Sequence, residues 1–526
     1  MFRGDYDLLR RIILRLVEED KQKCFPNVDS AADAFRKLRP GFLLPLGVSE
    51  MVVGGAHRTL TQPREKVYLS ERAYEIVQHP VFQRLQNLNQ LNFVYMLYPG
   101  ARHSRFLHCL STFEMAKRYI EGLLGDPYFR YLMYKEDFEH FLAASLLHDI
   151  GQYPLAHAIE DLRGVEFEGV HSEVEPDYQM GEYFLNFRPP SRRSLKDLLE
   201  NNKWRIDVNR LVRLISKQEP QTESETFIQS MLDGPIDVDK VSYLLYDSSF
   251  SGARYGLGID LDGLLSSLVA IPPAPGRNSQ IGIEQGGLVA AEGVISARYS
   301  MFSRVYWHHF NRGIMAMLGY AAAKIFLSPT RVCPFQKYIE DTSALSDIEA
   351  VRYMSNVLDQ VISRPKGERT ANPLGGLLDG SRTVHRKLLS FTGTADTLTV
   401  HRYLTGRNFS QLEALRLDLL KAVESESSMT LQDSDLLLDV PRIEKTTDQL
   451  KPLYVYDPER AQPYQKLSEL SGVVKSLCEE FLDLTKECRV YLSHRVYSEL
   501  DEKKGMLATA RKEIERILND KAKRVS

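Results

Sequence analysis

From about Val67 to Leu327 the apolar residues recur with a period near 3.6, and this pattern constrains the chain more than any other feature. Phe106, Leu110, Phe113 and Ile120 fall on one stripe with Lys117; Phe138, Leu142, Ser145 and Leu146 mark a second, and Val238, Val241, Leu244 and Leu245 a third. Stripes of this kind must be buried against other helices, so a mostly α domain is predicted over residues 66–327. Loops are short except at 248–290, where Pro272-Pro-Ala-Pro-Gly276 and Gly286-Gly287 break the pattern. Within that break Asn278–Glu284 alternates as a short strand does. Beyond residue 328 the texture changes: Thr397–Tyr403, Leu436–Val440 and Leu453–Tyr456 read as strands, Leu467–Leu484 and Ser493–Asn519 as helices. Residues 328–526 are therefore expected to form a smaller α+β C-terminal lobe. Residues 1–65, a charged amphipathic start followed by a Gly- and Pro-punctuated stretch, are expected to be a helical appendage and linker.

A chain of 526 residues is too long for one ordinary core, so two or three lobes are expected. The net charge of −3 gives no overall basic field, which argues against a nucleic-acid coat protein and leaves nucleic acid open as a regulator or second substrate. Cys24, Cys109, Cys333, Cys478 and Cys488 are odd in number and form no CxxC pair, so neither a disulfide framework nor a thiolate zinc site is suggested. A reducing cytoplasm is the expected compartment. No run approaches the ~20 apolar residues of a membrane span; Gly313–Leu327 carries Lys324 and reads as a buried helix.

Three segments carry candidate chemistry. His148-Asp149 closes the apolar run Phe141–Leu147, and an imidazole beside a carboxylate can ligate one cation; alone, such a pair at a helix end is more often a capping histidine and a surface acid. Arg105 and His108 are three apart and share a helical face, which suits a metal ligand beside a phosphate-binding guanidinium, or a buried histidine bonded to a carbonyl. Asp239, Tyr243 and Asp247 lie at i, i+4 and i+8, with Lys240 flanking: one face offers two carboxylates and a phenol, or a solvated charged surface.

Taken together, the order His…His-Asp…Asp resembles the HD-domain metal phosphohydrolases. The longer strings beginning at His79, Tyr98, His148 and Asp237 are similar, within that group, to deoxynucleoside triphosphate triphosphohydrolases. The likeness is densest over 67–325, with a fainter echo in 434–492. It implies a helical HD-domain core and one divalent metal ion, with Mn, Fe, Mg, Co, Ni and Zn all open. His108, His148, Asp149 and Asp239 would be the ligands. Arg105 and Lys240 would hold phosphates, Gln90 and Leu91 would pack under the sugar, Tyr243 and Asp247 would sit beside it, and Arg298 and Tyr306 would meet the terminal phosphate and the sugar or base. It also implies a nucleotide substrate, a dNTP first, and assembly as a homo-oligomer.

The chain departs from that group in three places. Gln152 stands where a histidine is usual; glutamine does not titrate near neutral pH, so His157 is expected to take over proton donation to the leaving group. Asp177-Tyr-Gln179 replaces a frequent His-Glu. Gln78 and Gln86 replace the charged pair that reads guanine at the activator site of the animal enzyme, which argues against GTP activation of that kind. The expected reaction is metal-assisted hydrolysis of a dNTP to deoxynucleoside and inorganic triphosphate. The alternatives are an HD hydrolase of other specificity (monophosphatase, cyclic-nucleotide or alarmone hydrolase) and a nucleotide sensor with a weakened site.

Overall fold

The computed structural model describes residues 48–51, 58–61, 66–162, 176–190, 192–201, 203–327, 333–362, 372–394, 396–441 and 451–524. The amphipathic start and most of the linker expected over 1–65 lie outside the described residues, as does Cys24; of Asp177, Tyr178 and Gln179 only the helical backbone is described. No helix among the described residues is long and apolar enough to cross a membrane.

Helices dominate, and their ends follow the local sequence. Helix α1 (Arg105–Leu123) starts where the Ser104 hydroxyl accepts from the Leu107 amide, and it buries Leu110, Phe113, Tyr119 and Ile120. Helix α2 (Lys135–Leu147) begins at a capping box, the Asp137 carboxylate accepting from the Tyr134 amide at 2.7 Å, and ends at His148. After a tight turn comes the short helix α3 (Ala156–Glu160), entered through Leu155 at φ 61°. A left-handed leucine stores roughly 1–2 kcal/mol of backbone strain, and such strain gathers at functional sites. Helix α4 (Val238–Ser251) is capped by Asp237, which accepts from the Lys240 amide at 2.6 Å, and stops at Gly252, whose φ of 73° suits glycine. Helix α5 (Leu288–Met301) runs through a π-helical turn, Phe302–Tyr306, into α6 (His309–Phe326), and α7 (Asp347–Val361) packs against α6.

Among the described residues there are also three small sheets. β1 (Arg58–Thr61) and β2 (Lys66–Leu69) form an antiparallel hairpin. β3 (Leu268–Ile271) and β4 (Gln280–Glu284) are antiparallel; β4 pairs in parallel with β7 (Tyr454–Tyr456), which pairs with β8 (Tyr464–Lys466). In the third sheet β9 (Cys488–Leu492) lies between β5 (Arg386–Phe391) and β6 (Leu436–Asp439), antiparallel to both. One large core fills the helical lobe and extends through Phe335, Tyr338 and Leu358; a second gathers Leu388, Leu404, Leu419, Val490, Ile514 and their neighbours.

The expected fold class holds: a mostly α domain with a smaller α+β lobe. The strands at Asn278–Glu284, Leu436–Val440 and Leu453–Tyr456 are present. Thr397–Tyr403 is not a strand. It belongs to a helix, Leu398–Thr405, because Val400, His401 and Leu404 are spaced to bury one helical face. The two C-terminal helices are each broken, at Ser471 and before Gly505, whose φ is 85°.

Candidate metal centre

Three segments separated by up to 131 residues of sequence meet at one point. α1 contributes His108, the end of α2 His148 and Asp149, and the first turn of α4 Asp239. His108 Nε2 lies 3.0 Å from His148 Nε2 and 2.9 Å from Asp239 Oδ1. Three further separations are 3.7 Å from His148 to Asp239, 3.8 Å from His148 to Asp149 and 4.0 Å from His108 to Asp149. One ligand atom from each of His108, His148 and Asp149 falls within 4.8 Å of the others. A cation with bonds of about 2.1 Å holds its ligand atoms about 3 Å apart at right angles and about 4 Å apart across it, so the donor set fits a divalent ion.

Two further observations agree with that fit. Asp239 Oδ1 is buried and, despite its 2.9 Å approach to His108, accepts no aligned hydrogen bond. Burial alone would lower the His108 pKa, but the Asp239 carboxylate and its neighbours Asp149 and Asp247 raise it. Carboxylates that draw a proton onto a buried imidazole will equally draw a cation to the same lone pair. Burial works against ionisation of Asp149 too, and Arg105, His148 and His108 outweigh it.

Around the cluster, Arg105 donates to Asp149 Oδ2 at 2.7 Å and to His157 Nε2 at 3.0 Å. Since guanidinium has no lone pair, that nitrogen is the acceptor and the His157 proton sits on Nδ1, 3.6 Å from Glu160. The turn between Asp149 and Leu155 is held from below by Arg84, buried against the Phe184 ring, which donates to the carbonyls of Gln152 (2.5 Å) and Ile150. The Asp347 carboxylate accepts from the Asn89 amide at 2.9 Å, steadying the segment that carries Gln90 and Leu91.

A cavity of about 430 Å³ opens from the cluster, large enough for a nucleotide-sized ligand. Gln90, Leu91, Arg105, His108, Asp149, Gln152, His157, Asp239, Tyr243, Asp247 and Tyr306, all expected from the sequence, line it. The i, i+4, i+8 face of α4 thus points inward. The Tyr306 hydroxyl donates to Asp247 Oδ2 at 2.6 Å, and His103 Nε2 lies 2.8 Å from Oδ1. Burial raises the Tyr243 phenol to about 12, and burial with Asp247 raises Tyr306, so both remain proton donors at neutral pH.

Two expected cations are placed otherwise. Lys240 is 2.6 Å from Asp237 and 3.7 Å from Asp233, and Arg298 lies over the rings of Phe302 and Phe481; neither is among the lining residues. Trp307, Asn311, Arg312 and Lys486 line the cavity without having been expected. Arg312 pairs with Asp439 and Asp161. A second, mostly apolar cavity of about 370 Å³ lies beyond Arg312, between α6 and the helix Phe409–Ser427, without the paired histidines.

Comparison with known proteins gives the following likenesses. The sequence profile of the HD associated region matches residues 274–364. The chain is 27% identical over 288 residues to the protein MJ1154 of Methanocaldococcus jannaschii, covering 55% of this chain and 52% of that one. It is 28% identical over 153 residues to a deoxynucleoside triphosphate triphosphohydrolase SAMHD1 homologue of Dictyostelium discoideum, 24% of this chain and 29% of that one. The match spans about half the length of the first of these and of other curated relatives. The crystal structure of a phosphohydrolase from Bacteroides thetaiotaomicron shares the fold with a TM-score of 0.55 at 18% identity, over 84% of this chain and 100% of that one. Fold, cluster and relatives point the same way: the chain is similar to the HD-domain phosphohydrolases.

Proposed function

We propose that the chain hydrolyses nucleotides at this centre, deoxynucleoside triphosphates foremost. The observation that carries the reading is the grouping of His108, His148 and Asp149, with Asp239 2.9 Å from His108, at a nucleotide-sized cavity lined by His108, Asp149 and Asp239. The partial similarity to a dNTP triphosphohydrolase homologue supports the substrate class. His108, His148, Asp149 and Asp239 would hold a divalent cation, which would supply Lewis-acid charge and lower the pKa of a water. Arg105 is placed to exchange its contact with His157 for a phosphoryl oxygen, bidentate recognition being what guanidinium does best. His157 Nε2, released by Arg105 and with Glu160 behind Nδ1, then takes the proton given up by the attacking water and passes it to the leaving group. Tyr243 and Tyr306 offer hydroxyl donors beside the sugar, and Asp247 accepts from its 3′-hydroxyl.

A second reading, a less charged phosphoester such as a monophosphate or a cyclic nucleotide, is favoured by where the cations sit. Lys240 and Arg298 are engaged outside the lining, while Asp149, Asp239, Asp247, Glu160 and Asp161 face Arg105, Arg312 and Lys486 within it. A triphosphate of about four charges needs more cationic company than a monoester does. Incubation with each deoxy- and ribonucleoside triphosphate, monophosphate and cyclic nucleotide, across Mn, Fe, Co, Ni, Zn and Mg, with phosphorus NMR of the products, decides between them. Inorganic triphosphate with free deoxynucleoside is the expected result; orthophosphate from monophosphates establishes the second reading, and no product from any pairing overturns both.

A further inference from the structure

The cavity end furthest from a simple HD motif is built by the turn Tyr306–His309, and that turn is gripped from the C-terminal lobe. Arg489 of β9 donates to the Trp307 carbonyl at 2.9 Å, and Tyr491, two residues on, donates its hydroxyl to the His309 carbonyl at 2.6 Å. Both side chains are buried. Alternate residues of a strand share a face, so β9 meets the turn with one face at two points. Opposite Arg489 in register stands Asp439 of β6, whose carboxylate lies 3.5 Å from Arg489 and accepts from Arg312 at 2.5 and 3.0 Å. Arg312 in turn lies over the Trp307 ring at 4.4 Å and reaches Asp161 behind α3. Lys486, just before β9, brings its side chain to the cavity wall 5.8 Å from the same ring.

A buried cluster in which two guanidiniums share the Asp439 carboxylate, with Asp161 and Glu487 at its edges, adds little net stability, since desolvation offsets the attraction; what it does fix is geometry. Here the geometry fixed is that of Trp307 and, through one peptide, of Tyr306 with its bond to Asp247. We propose that β9 sets the nucleoside end of the cavity: Arg489 and Tyr491 are positioning residues that hold the Tyr306–Trp307 wall against the substrate. That a nucleoside occupies this end rests on the function proposed above, whereas the grip on the turn does not.

Trp204 and Trp307 are the two tryptophans of the chain, so a Trp204→Phe background makes Trp307 a sole reporter. In that full-length, metal-loaded background, Tyr491→Phe removes one bond isosterically, and Arg489→Lys keeps the charge facing Asp439 while losing the reach to the Trp307 carbonyl. The expected result is greater acrylamide quenching of Trp307 in both variants. With it, KM for the nucleotide rises roughly three- to tenfold, the weight of one hydrogen bond, while kcat and the hydrolysis of bis-p-nitrophenyl phosphate change little. Unchanged quenching in a folded variant overturns the grip; greater quenching with unchanged KM overturns its role in binding. Should Arg489→Lys fail to fold, Tyr491→Phe alone decides between these outcomes. A parent protein that hydrolyses bis-p-nitrophenyl phosphate but no nucleotide sinks the substrate assignment, and quenching still decides whether β9 holds the turn.

Discussion

Asp239 reaches the cluster from α4, 3.7 Å from His148, and its buried Oδ1 has no hydrogen-bond donor aligned with it. Asp239→Ala removes one of two anionic donors, so bound metal measured by atomic emission should fall to background. Turnover should drop by more than the ~10–100-fold that outer partners of metal sites cost. Gln152 is buried in the cavity wall with its backbone held by Arg84, so its side chain can change without moving the turn. Gln152→His should raise kcat, by up to about a hundredfold if it restores a proton path, and a fall would give the glutamine a role of its own. At this scale the sequence was informative where ligand chemistry repeats a spacing: the His-Asp pair, the Arg-x-x-His face and the α4 carboxylates were all visible. Arg84, His103, Trp307, Arg312 and Lys486 were not, because each acts through a contact 68 or more residues away or as an ordinary core or surface type.

The helices that carry ligands owe their placement to their ends. Ser104 caps α1 one residue before Arg105, and its hydroxyl is the side-chain acceptor at that terminus. Ser104→Ala should cost about 1 kcal/mol in chemical denaturation, with a lower Tm. Metal affinity should fall with it, since fraying of that turn moves Arg105 and His108; an unchanged affinity would detach the cap from the site. Helices α1, α2 and α4 were legible from apolar residues at helical spacing, although burial in α2 extends round the whole helix from Asp137 to Leu147. Leu398–Thr405 reads as a strand in sequence because its β-branched and aromatic residues mimic strand composition, while its burial repeats every fourth residue. β9 escapes notice for the opposite reason: a central strand buried at all five positions shows no alternation.

Across the whole molecule the two cores touch along α6, β6 and β9, and a histidine pair sits at that junction. The rings of His308 and His309 are 4.3 Å apart. Burial, then His309, Arg489 and Lys387, lower the His308 pKa from 6.5 to about 4. A histidine whose folded pKa is depressed contributes stability in full above its unfolded pKa, and that contribution is lost as pH falls from about 6.5 towards 4. Unfolding free energy should therefore decline through this window more steeply in the parent than in His308→Asn, which keeps an acceptor for the Phe310 amide. Parallel slopes would remove His308 from the account. That the fold joins a mostly helical part to a smaller α+β part was readable from the change in texture beyond residue 328. The way α7 and β7 cross back to serve the first lobe was not, since pairing partners far apart in a chain leave no local mark.

The widened turn at Phe302–Tyr306 makes the count of residues there matter as much as their identity. A π-helical turn holds one residue more than an α-helical one, and each residue advances a helix by roughly 100°. Excising a single residue between Phe302 and Val305 would let α5 continue as α-helix up to Tyr306 and swing its phenol by that angle, off Asp247 and out of the cavity. Point substitutions along Phe302–Val305 leave this phase intact, so the segment should accept exchanges of side chain far more readily than a change in length.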